Sequence, residues 1–287
     1  MELLGTGVMA GMIAMMLRRA IIETGIRSYD PGRHQLFCRR EGTGPPLLLL
    51  HGLAGSWRYW RRGLEGLRER YTVYIPDLIG FGRSPKPRGD YSIAMHVEAL
   101  TRLLERIDVE VVLAGHSMGS IVALGLYARH PGRVRRVILV GLPYFPTPET
   151  ARTHLARQSL MNRMTIERSW LAQGMCYMKD IMALPVFAPL MRMPVDLYRD
   201  YWKHTWNSMS RSLFRTLLAS DVVGLLGDVD RTKVTLVHGT GDPSAPIEYV
   251  RGLVERFPDL ALREVNGGHH LYLSHPRLLN RLIAAGE

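Results

Sequence analysis

Val111-Val112-Leu113-Ala114-Gly115-His116-Ser117-Met118-Gly119-Ser120 is the stretch on which the fold turns. Its first three residues make an apolar, β-branched run of the kind that fills a buried strand, and residues 120–129 then carry small and apolar positions at helical spacing. Residues 115–119 are therefore a strand-to-helix corner with the pattern G-x-S-x-G. At such a corner the central residue is forced into a strained backbone conformation, and glycines two before and two after it permit close approach. The hydroxyl of Ser117 then stands exposed at the end of the sheet. The amide of Met118, at the positive end of a helix, can donate to an oxyanion. The pentapeptide by itself also fits a plain tight turn with a surface serine, so its surroundings must decide.

Upstream, residues 35–40 read as a first edge strand and Gly42-Thr43-Gly44-Pro45-Pro46 as a turn. Residues 47–50 are an apolar strand ending in His51-Gly52-Leu53-Ala54-Gly55-Ser56. A glycine where the chain turns, followed by a free amide on Leu53, is what the second half of an oxyanion hole needs; His51 reads as a packed histidine that orders the loop. A helix over residues 57–70 and a strand over 71–75 lead to Pro76-Asp77-Leu78-Ile79-Gly80-Phe81-Gly82-Arg83-Ser84. Asp77 there can accept backbone amides and fix the turn, a structural carboxylate. Residues 91–107 read as a helix with Ser92 as N-cap.

H-G-L-A-G, P-D-L-I-G-F-G-R-S and G-H-S-M-G, in this order and at these spacings, resemble the α/β-hydrolase superfamily in its esterase and lipase branch, over residues 36–141 and again from 233 to the end. The resemblance implies an α/β fold: a mostly parallel sheet of about eight strands flanked by helices, with a helical cap inserted after the sixth. It also implies a triad acid after one of two strands. Residues 134–140 form the first of these, and Gly141-Leu142-Pro143-Tyr144 follows with no acid. Residues 234–237 form the next and open into His238-Gly239-Thr240-Gly241-Asp242-Pro243, which gives Asp242. A carboxylate there could orient an imidazole through Nδ1, and it also reads as a turn cap before proline. A last strand near residues 261–265 ends in Asn266-Gly267-Gly268-His269-His270-Leu271-Tyr272, where two histidines compete for the general base. The resemblance selects His269, which follows the glycine directly, and leaves His270 to line the pocket. The order Ser, Asp, His completes the match.

At 287 residues and 46% hydrophobic content the chain suits one α/β domain with an insertion: an accessory helix in residues 1–30, a core of 31–144 and 227–287, and a helical lid of 145–226. The lid segment is rich in Met and aromatics, with breaks at Pro185, Pro189 and Pro194. Trp170, Met178, Trp202 and Trp206 are its candidate substrate-binding residues; Met161, Met164, Met175, Tyr177, Met182, Met191, Met193, Tyr201 and Met209 complete the set. Such side chains more often form a small core than a substrate wall, since a lid must bury one face against the body; the part facing Ser117 would fit an acyl chain better than a sugar, so the expected partner is a small apolar ester, medium-chain or aromatic.

The formal charge is +11, yet Lys86, Lys179, Lys203 and Lys233 are the only lysines and the arginines are scattered, with no basic tract for nucleic acid. A basic face including Arg58, Arg61, Arg62, Arg68 and Arg70 could attract anionic substrates or surfaces. Cys38 and Cys176 are too few for a disulfide scaffold, which fits a cytoplasmic setting. Residues 3–17 are apolar, but a helix of that length spans about 22 Å against a hydrocarbon core of about 30 Å. They lack the basic n-region of a signal peptide. The segment reads as a helix that packs on the body or contacts a membrane surface peripherally. A homodimer is compatible with the composition.

The chemistry implied is acyl transfer through Ser117, with no metal or organic cofactor; Gly-Gly-His-His lacks zinc-ligand spacing. Carbon-carbon bond hydrolases share the triad but usually carry tryptophan where this chain has His270. Haloalkane dehalogenases and epoxide hydrolases need an aspartate at position 117. A ligand-binding protein on the same fold with little turnover is the non-enzymatic alternative.

Overall fold

The architecture comes from a computed structural model that describes residues 2–158, 160–178, 189 and 194–285, with side chains from residue 9 onward except 161. Seven strands form one sheet: β1 (Cys38–Glu41), β2 (Pro46–Leu50), β3 (Thr72–Pro76), β4 (Val111–His116), β5 (Val134–Val140), β6 (Val234–Gly239) and β7 (Ala261–Val265). Their order is β1-β3-β2-β4-β5-β6-β7, with β1 antiparallel to β3 and every other pairing parallel. The sheet is thus one strand smaller than the resemblance implied. Residues 25–37 contribute only the isolated bridge Ser28 to Arg88, because Pro31 and Gly32 hold that segment in a turn.

Strand alternation divides the core into two layers. Leu47 and Leu49 of β2, with Val112 and Ala114 of β4, face a cluster containing Trp57, Trp60, Tyr272, Leu279 and Ile283. Leu48, Leu50 and Leu113 face the opposite cluster with Leu100, Leu104, Ile121 and Leu124. Strands covered on both faces must be apolar along their whole length, which is why β2 and β4 read as continuous hydrophobic runs. On the second side lie α3 (Ile93–Ile107), capped by Ser92 accepting from the Met95 amide at 3.3 Å, and α4 (Met118–Arg129), buried from Met118 through Tyr127. The expected helix at 57–70 is instead a 3-10 stretch, Trp57–Gly63, running into a short α2 (Leu64–Arg68).

The chain passes from β2 outward to β3 and then returns to the other side of β2 as β4. The crevice at that reversal, at the carboxyl ends of β2 and β4, is where ligands lodge in open α/β sheets. Both the loop after His51 and the corner at Ser117 leave the sheet there.

Between β5 and β6 the described residues form helices only: α5 (Pro148–Gln158), α6 (Leu160–Glu167), α7 (Ser169–Tyr177), α8 (Val195–Tyr201), α9 (Trp206–Arg211), a π-type turn Ser212–Leu217 and α10 (Val222–Gly227). In a seven-strand count this segment follows the fifth strand, not the sixth. Met182, Pro185, Met191 and Met193 lie outside the described residues. The chain closes with α11 (Ile247–Arg256), α12 (Leu271–Ser274) and α13 (Pro276–Ala284). At the other end α1 covers Glu2–Thr24, longer than the apolar run alone, and packs on α7.

Candidate active site

Ser117 has φ 54° and ψ −125°, a left-handed conformation forced by the corner. Its amide is held by Val140 O at 2.9 Å and its carbonyl by the amide and hydroxyl of Ser120, at 2.8 and 2.6 Å. A Cβ on Gly119 would lie 2.5 Å from His51 O and 2.6 Å from Leu50 O, so only glycine lets α4 approach β2 this closely. On the other side, a Cβ on Gly52 would stand 3.1 Å from Ser117 Cβ, which places the loop after β2 directly beside the serine. The Leu53 and Met118 amides have no acceptor among the described residues. Both are available to a ligand oxygen at this corner.

His269 donates from Nδ1 to Asp242 Oδ2 at 2.7 Å. The other carboxylate oxygen of Asp242 accepts the amides of Ser244 and Ala245, at 2.8 and 3.0 Å. Burial pushes this carboxyl up, but the His269 bond and the neighbouring donors outweigh it and hold Asp242 below its ordinary value. His238, buried 3.6 Å from Oδ2, donates from Nε2 to Ala245 O at 2.6 Å, and burial lowers its pKa below the ordinary imidazole value. Gly141, at the end of β5 where no acid stands, has φ 58°. A Cβ there would be strained by that φ and would come 3.3 Å from His269 Nδ1 and 3.5 Å from Asp242 Oδ2, so glycine lets the strand end pass close beside the pair.

Ser117, His269, His270, His116, Leu53 and Gly52 line one cavity of about 290 Å³, together with Ala54, Gly55, Tyr59, Pro194, Leu197, Tyr201 and Leu273. No hydrogen bond joins Ser117 Oγ to His269 among the described residues, though both face this space. In hydrolytic sites without ligand that contact is often long and closes on binding. With Nδ1 committed to Asp242, Nε2 is the nitrogen left for a serine.

The lid side chains expected to bind substrate lie elsewhere. Trp170 is 69% exposed on the outside of α7. Trp202 is buried against Tyr198 and Tyr201. Trp206 lines a separate cavity beside α1, its amide bonded to Glu23, and Met178 is not among the residues of the Ser117 cavity. Large apolar side chains in a lid satisfy the lid's own core first; composition could not tell that core from the wall. Leu197 and Tyr201 reach the cavity because α8 is tied down. Asp200, 4% exposed, accepts from Ser56 Oγ at 2.7 Å, from Lys203 Nζ at 2.6 Å and from Arg58.

His116 went unremarked in the sequence although it precedes the serine. It stacks on Tyr59 with ring centroids 4.2 Å apart, and its Nε2 donates to His269 O at 2.9 Å. Burial, and then the nearby His269 and His270, hold it well below the usual imidazole range. His51 and Asp77 are structural as expected. His51 donates to Gly52 O and accepts from Leu78 N, at 2.8 and 2.9 Å, and Asp77 accepts from Trp57 N and Arg83 N, at 2.6 and 2.7 Å.

Residues 45–276 match the family profile described as the alpha/beta hydrolase fold. The chain belongs to that family. Among α/β-hydrolase relatives, the probable lysophospholipase BODYGUARD 4 of Arabidopsis thaliana is 36% identical over 264 residues, covering 78% of this chain and 59% of that protein. A cis-3-alkyl-4-alkyloxetan-2-one decarboxylase of Shewanella oneidensis is 27% identical over 195 residues, 66% of this chain and 59% of that one. The chain spans between 30% and 59% of the length of such curated relatives. Of solved α/β-hydrolase structures, E-2-(acetamidomethylene)succinate hydrolase superposes with a TM-score of 0.70 at 22% identity, covering 90% of this chain and 97% of that one. The esterase EaEST from Exiguobacterium antarcticum gives 0.69 at 18%, with 91% and 97% covered. At these identities the superpositions speak for the fold.

Proposed function

We propose that the protein is a serine hydrolase that cleaves carboxylic esters of apolar acyl groups through an acyl-enzyme. The observation that carries this is the strained Ser117 sharing one cavity with a His269 already paired to Asp242. In the proposed reaction His269 Nε2 takes the Ser117 proton as Oγ bonds to the ester carbonyl. The Leu53 and Met118 amides receive the oxyanion, and His269 returns the proton to the leaving alkoxide as its bond to the acyl carbon breaks. Water, deprotonated by the same imidazole, then releases the acid and frees Oγ. Asp242 stays ionised throughout, which its depressed pKa supports, and steadies the imidazolium. Leu53, Ala54, Pro194, Leu197 and Leu273 give the cavity an apolar lining suited to an acyl chain, and the relatives named as probable lysophospholipases support the same direction.

One observation favours a second reading, a binding protein with little turnover: the missing bond between Ser117 Oγ and His269. Hydrolysis of p-nitrophenyl esters of increasing chain length decides. Turnover that peaks at medium chains and falls by about 10⁴-fold or more in Ser117→Ala supports the proposal. Saturable ester binding without Ser117-dependent turnover supports the binder, and turnover of dienones but not esters supports carbon-carbon cleavage.

A further inference from the structure

Between Met9 and Ile22, helix α1 carries only two charged side chains, Arg18 and Arg19. Its inward positions Met12, Met15 and Met16 are half-buried, with Met16 so close to α7 that a Cβ on Gly174 would lie 3.0 Å from its methyl. Its outward positions Met9, Ile13, Leu17 and Ile21, four residues apart, are exposed by 61%, 52%, 59% and 70%. That spacing sets them in one row about 18 Å long. α1 and α7 run side by side in the same sense, since Met16 meets Gly174 while Ala20 and Glu23 share a cavity with Gln173 and Tyr177. Trp170, one turn before Gly174, therefore comes level with Met12 and Ile13, and it too stands out in solvent. A surface helix normally turns charged side chains outward, and a helix apolar all round is covered all round.

We propose that this row, with Trp170, seats the protein in the plane of an anionic lipid surface. The cover must be extended, because the exposed row runs about 18 Å along one side of the helix. It must also be negative. The chain carries +11, and exposed Arg18, Arg27, Arg163 and Arg168 lie on or next to α1, α6 and α7. The same charge opposes a second copy of the chain. Aliphatic side chains sinking into the acyl boundary, with arginines at headgroup level and an indole between the two, are the features of a helix lying in an interface. No helix among the described residues is long and apolar enough to cross a membrane. The contact runs further along the helix than the sequence indicated, reaching Ile21 instead of ending at residue 17. It places against the lipid the helical segment whose α8 lines the Ser117 cavity.

Vesicle binding requires no turnover, so the docking stands or falls apart from the hydrolase reading. The test is co-sedimentation of the full chain with vesicles of phosphatidylcholine containing one quarter phosphatidylglycerol, and with phosphatidylcholine alone. It is run beside the triple variant Ile13→Ser, Leu17→Ser, Ile21→Ser, whose exposed sites leave the fold intact, as an unchanged melting temperature verifies. The wild type is expected to bind the anionic vesicles at least about tenfold more tightly than the variant does. Binding is also expected to weaken about fivefold for each of Arg18→Gln and Arg168→Gln. Wild type that stays in the supernatant, or a triple variant that binds equally well, overturns the proposal. So does a wild-type dimer that the triple substitution converts to monomer, which assigns the row to a second copy.

Discussion

Ser117 is held at φ 54° by its neighbours, not by any preference of its own, and such a conformation costs about 1 to 3 kcal/mol. Glycine adopts it without that cost. Ser117→Gly is therefore expected to raise the unfolding free energy by about 1 kcal/mol while abolishing ester turnover, read by a denaturant melt beside an activity assay. At Asp242 the prediction concerns orientation. Asp242→Asn keeps the volume but presents no second acceptor with a charge, so His269 loses its fixed tautomer. A kcat drop of about 10³- to 10⁴-fold with KM little changed is expected; an unchanged kcat would remove Asp242 from the site. His116 acts through the backbone. His116→Phe keeps the stack on Tyr59 but leaves His269 O without its donor, so a loss of about 1 to 3 kcal/mol in stability is expected, accompanied by a slower kcat. Of these residues Ser117 and Asp242 stood out in the sequence through the glycines that mark their strand ends, whereas His269 was singled out from His270 by the family resemblance alone. His116 left no such mark, since a buried imidazole bonded to a carbonyl follows no local pattern.

Among the elements, α8 positions the apolar wall of the cavity and hangs from one carboxylate. Burial alone would raise the Asp200 pKa, yet the donors Lys203, Ser56 and Arg58 bring it below its ordinary value. A depressed carboxyl contributes stability that is complete above its unfolded value and is lost as pH falls through the folded one. The tie therefore holds at neutral pH and releases only below the usual carboxylate range. Asp200→Ala strands the Ser56 hydroxyl and the Arg58 guanidinium, so hydrogen exchange in α8 is expected to quicken and KM for longer esters to rise several-fold. Protection of α8 equal to wild type would show that the tie does not hold the wall. Element boundaries were legible wherever burial is two-sided: β2, β4 and β5 announce themselves as apolar runs. The lid was not. Its helices are set by contacts such as Asp200 to Ser56, 144 residues apart in sequence, which no local pattern encodes. The same long-range packing carried Trp170, Trp202 and Trp206 away from the cavity.

For the whole molecule, the histidines impose an acid limit. Burial holds His51, His96, His116 and His238 below the ordinary imidazole range, His96 at about 3. Their neutral forms fold without penalty above the unfolded value near 6.5. Below it the unfolded chain takes up protons that the folded chain refuses. Stability is thus expected to fall as pH drops below about 6.5, the slope for His96 approaching about 1.4 kcal/mol per pH unit and the other three adding in the same direction, visible as a decline in melting temperature towards about pH 5. A flat profile would mean that these rings are open to protons. Fold and site meet at one place in the molecule, the crevice between β2 and β4, where glycines let two backbones and a helix end converge on a hydroxyl. The most direct test of that convergence is intact-mass spectrometry after exposure to a fluorophosphonate, which bonds to an activated serine oxygen with loss of fluoride. One adduct per chain, mapped to Ser117, absent in Ser117→Ala and greatly slowed in His269→Ala, is the result expected. No adduct on folded wild-type protein, or an adduct that persists in Ser117→Ala, contradicts the account.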